Sequence, residues 1–298
     1  MAKRETPAGS FGRLPEARGL AALLAAFFLW PAVAHAEDAD GAGKERVETE
    51  HIFGFTEGTD IGEKGEQEFE STTVGRFGQT AGYAAIGNES AYRNTLIEGF
   101  RLSFSALPDY FSIHGMPGLA DRNGLNFSGV SSEFRWQFSD RSKYPIGFAL
   151  SLAPVLRWTD DISGAGVQSY ALPVVAAFDA AVIPDRLFTA LNFICDPGTT
   201  RTQGKWEGGT QFEASGAASY AITPDVFIGA ELRYIGWDEQ NSTLSRGLFA
   251  GPSLYMKLSK TSALKVAWSA EIAEETPRGP GLANFERNQA IVLFVKSF

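Results

Sequence analysis

Thiols, histidines and long apolar runs are all scarce in this sequence. Cys195 is the single cysteine, so no internal disulfide can form and the fold must hold itself by other means. It precedes Asp196-Pro197-Gly198 with no histidine nearby and no metal-ligand spacing, and reads as inert packing. Beyond residue 36 no stretch reaches the ~18 uninterrupted apolar residues of a transmembrane helix. A basic excess is missing too. The formal charge is −9 at pH 7, which leaves no electrostatic footprint for nucleic acid.

The first 36 residues read as a secretory signal. Lys3, Arg4, Arg13 and Arg18 form a basic start, and Gly19 to Trp30 is an apolar stretch of 12 residues, too short to span a bilayer. Pro31 breaks it, and Ala34-His35-Ala36 supplies the small-x-small triplet. No cysteine follows at the cut, which disfavours a lipoprotein. Cleavage would leave 262 residues with 22 basic and 33 acidic side chains, a charge of −11.

What is present is alternation. Leu264, Val266, Trp268, Ala270 and Ile272 share a face opposite Lys265, Ala267, Ser269 and Glu271. Val226, Ile228, Ala230, Leu232 and Tyr234 oppose Gly229, Glu231 and Arg233, and the same pattern recurs over 134–138 and 146–157. One face suits lipid, the other is small, polar or charged, the period-2 signal of a sheet between two environments. Such alternation also keeps mean hydropathy low, here −0.10. The segment lengths predict an all-β, antiparallel, up-and-down transmembrane barrel of about 12 strands. Their predicted spans are 66–77, 90–105, 110–116, 124–138, 145–158, 167–182, 187–195, 208–222, 226–238, 244–258, 263–275 and 286–298. Short turns are expected at 106–109, 183–186, 223–225 and 259–262, with a slightly longer one at 139–145. Longer outer loops are expected at 116–123, 159–167, 196–207, 237–243 and 274–284. Trp136, Phe138, Tyr144, Tyr110 and Tyr220 beside short turns, and Trp158, Tyr170 and Trp237 beside long loops, fit two interfacial girdles.

The domain reading is a cleaved signal over 1–36, an acidic glycine-rich segment over 37–65 that is either periplasmic or a lumenal plug, and a barrel over 66–298. The alternation points Glu68, Glu70, Arg76, Glu98, Arg101, Glu133, Arg135, Arg157, Glu213, Glu231, Arg233, Lys257, Lys265 and Glu271 into the lumen. Acids and bases balance in that set. Cross-strand ion pairs that fill and stiffen the barrel are therefore weighed against a narrow selective pore. Glu57, Asp60, Glu63 and Glu66 recur every three residues, but the spacing is not that of a standard calcium loop and Lys64 intrudes. A solvated turn or plug is preferred there, with no metal and no cofactor. After cleavage only His51 and His114 remain, and neither has an adjacent serine, so no catalytic residue is assigned.

The final strand, with Ala290, Val292, Phe294 and the last residue Phe298 on one face, resembles the assembly signal of outer-membrane barrels. Lys296 departs from that pattern. The resemblance implies a partner, the barrel-assembly machinery, engaged through the C-terminal strand. The stretch His51-Ile52-Phe53-Gly54-Phe55-Thr56-Glu57-Gly58-Thr59-Asp60-Ile61-Gly62-Glu63-Lys64-Gly65-Glu66, leading into Glu68 and Glu70, resembles the opening of an uncharacterised bacterial outer-membrane family. A similar opening occurs in channels linked to the degradation of phenols and other aromatics. The expectation is a monomer in outer-membrane lipid, without catalytic activity, for passive passage or binding of a small solute, with apolar or aromatic solutes among the options. A structural or surface-interaction barrel with a closed lumen is the rival, and a lipid-modifying enzyme ranks third.

Overall fold

The computed structural model describes residues 47–78, 82–116, 118–202, 204–239, 245–275 and 287–298. The signal over 1–36, and the parts of the expected outer loops at 240–243 and 276–284, lie outside them.

Fourteen strands form one antiparallel sheet: β1 (Gln67–Phe77), β2 (Tyr83–Ile97), β3 (Phe100–Ile113), β4 (Arg122–Ser139), β5 (Gly147–Leu152), β6 (Val155–Thr159), β7 (Gly166–Ala171), β8 (Val174–Ile183), β9 (Leu187–Thr202), β10 (Lys205–Thr223), β11 (Val226–Glu239), β12 (Ser245–Ser259), β13 (Ser262–Glu275) and β14 (Asn288–Ser297). β5 and β6 both pair with β4, and β8 and β7 both pair with β9. Each couple is one strand of the wall with an interruption, so 12 strands surround the lumen. β1 closes the ring against β14, from Glu68 opposite Ser297 to Phe77 opposite Asn288. No described helix is long and apolar enough to cross a membrane.

The interruptions have a local cause. Pro154 and Pro173 cannot donate to a ladder, and each stands between the halves of its strand. Irregular bonds carry the wall across the break, from Ala153 N to Pro173 O (2.9 Å), Ser132 N to Pro154 O (3.1 Å) and Leu172 N to Pro197 O (3.0 Å).

Two expectations are corrected here. Ala106-Leu107-Pro108-Asp109 is no turn. It lies within β3, and the register shift between Leu107 and Pro108 absorbs the proline. The turn is instead Glu98-Gly99, with Gly99 at φ 78°, a conformation glycine adopts without steric penalty. The predicted strands 90–105 and 110–116 are replaced by β2 and β3, the total stays at 12, and Tyr110 is moved away from any short turn. The expected loop 196–207 is likewise consumed by β9 and β10, which continue to a tight hairpin between Thr202 and Lys205.

The faces follow the alternation. Ala263, Lys265, Ala267 and Ser269 are buried inside, whereas Val266, Trp268 and Ile272 are exposed outside. Aromatic contacts run along the outer wall, such as Phe100–Trp136 (5.2 Å) and Phe148–Phe178 (4.8 Å) near the short turns, and Phe127–Trp158 (5.3 Å) and Tyr170–Trp206 (5.7 Å) nearer the long loops.

Candidate lumenal site

Residues 47–61 run inside the barrel and are held by side chains from β2, β3, β4, β8, β9, β10 and β11. The segment folds back on itself through a bond from Gly58 N to Glu50 O (3.3 Å). That turn needs a glycine, because a Cβ on Gly58 would stand 2.3 Å from Thr49 O. Ile52 and Phe53 pack on Phe188, Ala190, Ala217 and Phe227 of the wall.

The polar clamps are specific. Arg101 of β3 grips both oxygens of Glu50, Nη1 to Oε2 at 2.6 Å and Nη2 to Oε1 at 2.5 Å, while Arg93 of β2 adds 3.1 Å to Oε1. Arg135 of β4 donates to Glu57 Oε2 and to Gly58 O, both at 2.5 Å. Asn192 of β9 exchanges two bonds with the Glu57 backbone, at 2.7 and 2.9 Å. Glu231 Oε2 of β11 accepts from Phe55 N (2.7 Å) and Thr56 N (3.2 Å). Asp179 of β8 accepts from Thr59 Oγ1 (2.7 Å) and from Thr49 Oγ1. Arg141 reaches in from the 140–146 turn to Asp60 Oδ2 (2.7 Å) and Val47 O (2.6 Å).

Electrostatics follow from this placement. Burial raises the Glu50 carboxyl, but the Arg101 and Arg93 guanidiniums outweigh it and hold the group well below the usual carboxylate range. His51 is driven well below its ordinary 6.5, first by burial and then by Arg93, Lys265 and Arg101, against the pull of Glu50.

Thirteen of the fourteen expected lumenal charges lie on the inner face. The exception is Glu98, which sits in the Glu98-Gly99 turn, is 87% exposed and pairs with Lys143 at 3.4 Å. Its misassignment follows from the misplaced turn. Arg233 pairs with Glu213 (2.8 and 3.0 Å) and Gln289 (2.6 Å), and lies over the Phe55 ring at 4.0 Å. Its sequence neighbour Glu231 caps the lumenal segment instead. Toward the long loops, Arg157 pairs with Asp109 (2.8 Å) and Arg76 with Asp161 (3.2 Å). The repeated carboxylates diverge, Glu57 to Arg135 and Asp60 to Arg141.

Sequence reading missed Glu50, Arg93, Asp109, Arg141 and Asp179. Asp179 carried a usable signal, as a lone acid in the apolar run Val174–Ile183 on the same face as Ala177. Asp109 and Arg93 were obscured by the misplaced turn, and Arg141 leaves no periodic trace because it acts from a turn.

At the short-turn end the lumen opens into a vestibule of about 1750 Å³, lined among others by His51, Glu68, Lys257, Tyr255, Ala263 and Val295. At the other end Tyr83, Ala85, Phe111, Ile113 and Met116 form an apolar cluster under Leu119 and Ile162.

Among solved structures, the fold is similar to the COG4313 outer membrane channel from Pseudomonas putida F1, with TM-score 0.57, 10% identity, and coverage of 80% of this chain and 98% of that chain. It also matches the KdgM porin (TM-score 0.44, 15% identity, 78% and 99% covered) and the translocator domain of autotransporter NalP from Neisseria meningitidis (TM-score 0.40, 11% identity, 80% and 91% covered). No curated protein matches the sequence. A family profile, described as a family of unknown function (DUF6662), matches residues 45–290. With that match spanning most of its length, the chain belongs to the DUF6662 family.

Proposed function

We propose that the protein is a bacterial outer-membrane barrel for passive passage or binding of a small solute, with residues 47–61 acting as a plug. The observation that carries this is the clamped lumenal segment. A barrel whose only task was structural could fill its lumen with wall side chains, whereas here a separate stretch of chain occupies it through breakable ion pairs. The vestibule at the short-turn end, lined in part by Tyr255 and Ala263, is where a small solute would enter.

Planar-bilayer recording and liposome swelling test it. The native barrel is expected to show little steady conductance. Arg135→Met, which frees Glu57 and Gly58, is expected to produce open steps and faster entry of small solutes. Silence in the native protein and in every clamp variant, with no solute uptake, would favour the closed structural barrel.

A further inference from the structure

Two buried polar atoms face each other across the junction of the lumenal segment and the wall. His51 Nε2 and Glu70 Oε2 are 3.6 Å apart, their side chains are 7% and 5% exposed, and neither atom has a hydrogen-bond partner. The separation is too long for a hydrogen bond. It suits two ligands of one ion, since zinc bonds of about 2.0–2.1 Å at a tetrahedral angle place donor atoms roughly 3.4 Å apart.

The surroundings hold these atoms in place. The other oxygen of Glu70 accepts from Arg93 Nη2 (2.6 Å) and Thr72 Oγ1 (2.9 Å), which leaves Oε2 turned toward the imidazole. Glu68 is the next inward residue of β1. One of its carboxylate oxygens, one of Glu50's and a ring nitrogen of His51 all lie within 4.8 Å of one another, so Glu68 can join after a side-chain rotation. Ser297 holds its Oε1 at 3.1 Å. Glu50 is 3.9 Å from Nε2, but Arg101 and Arg93 already occupy both its oxygens, so it contributes charge rather than a bond. Around the imidazole, Glu50, Glu68 and Glu70 stand against Arg93, Arg101 and Lys265. The vestibule lined by His51 and Glu68 gives an ion a route in.

We propose that His51, Glu68 and Glu70 bind one first-row divalent cation of the zinc type, tying the lumenal segment to β1. An imidazole with two carboxylates suits zinc better than calcium, which takes six to eight oxygens. The binding site stands on its own geometry. Its role as a latch rests on the plug reading given above.

The test uses full-length protein in detergent, carrying no polyhistidine tag and stripped with a chelator. Titration with Zn²⁺ is followed by calorimetry, and with Co²⁺ by visible absorption. One ion per chain is expected, with a low-coordinate cobalt spectrum. His51→Ala and Glu70→Gln are expected to bind at least roughly tenfold more weakly, while His114→Ala retains binding. Heat-modifiable gel migration confirms that each variant is folded, and if His51→Ala is not, Glu70→Gln decides. No stoichiometric binding, or binding unchanged in a folded variant, overturns the site and leaves the plug reading intact. Binding without any fall in the conductance of Arg135→Met overturns the latch and leaves the site.

Discussion

Arg101 and Arg135 are among the largest side chains fully removed from solvent in this protein, each 1% exposed. Burying a guanidinium is tolerable only when its charge and donors are answered, and Glu50 and Glu57 answer them from the lumenal segment. Arg101→Met is expected to cost about 3–5 kcal/mol in urea unfolding of the detergent-solubilised barrel, because it strands the buried Glu50 carboxylate. Adding Glu50→Gln should recover part of that loss, and a double variant no better than the single would remove the case for this pair. His51 sets a second expectation, read on chelated protein. In the released segment its ring takes up a proton as pH falls through 6.5, whereas in the docked segment burial keeps it neutral. The docked state is therefore fully favoured above that pH and weakens below it, by up to about 1.4 kcal/mol per pH unit. The depressed Glu50 acts in the same direction only at more acid pH, below the ordinary carboxylate value of 4.5. The protection of residues 47–61 from hydrogen exchange, corrected for the intrinsic pH dependence of exchange, should fall as pH drops from about 6.5 to 5, and His51→Gln should flatten that response. An equal slope in both proteins would rule His51 out as the sensor.

Each strand must satisfy two solvents at once. In β13 the outward row of Val266, Trp268 and Ile272 is apolar and exposed, and the inward row meets the packed lumen or the vestibule. Ala270→Arg is expected to cost ~2–4 kcal/mol near mid-membrane. Ala263→Arg should cost less, since Ala263 lines the vestibule, where a long charged side chain can stay wet. Refolding stabilities in the reverse order would mean that the faces are exchanged. The strand faces were legible from sequence because period-2 alternation is a local property of the backbone. The Pro108 region was not. Turn-forming residues usually mark turns, but inside a long wall a bulge absorbs the proline, and Asp109 finds a lumenal partner in Arg157.

At the scale of the whole barrel, closure depends on the last strand meeting the first. Phe298 follows β14, is 76% exposed, and its backbone N donates to Gln67 O at 2.9 Å. If the terminal aromatic marks the strand for assembly, deleting Phe298 should sharply lower the yield of heat-modifiable barrel in outer-membrane fractions. Unchanged yield would show that closure of β14 on β1 needs no such mark. The same closed ring explains why the lumen is crowded. Twelve strands enclose limited space, and the 47–61 segment takes up much of it between the vestibule and the charged middle.

The sequence by itself determined the all-β class, the strand number and the alternation of two unlike faces along each strand. Each of these depends on composition or on the position of a residue within its own strand. Only the tertiary structure decided which charges meet. Glu50 finds Arg101 across 51 positions, Thr59 finds Asp179 across 120, and Phe55 finds Glu231 across 176. No periodicity encodes those partners, because they come together only when the sheet closes around the segment that fills it.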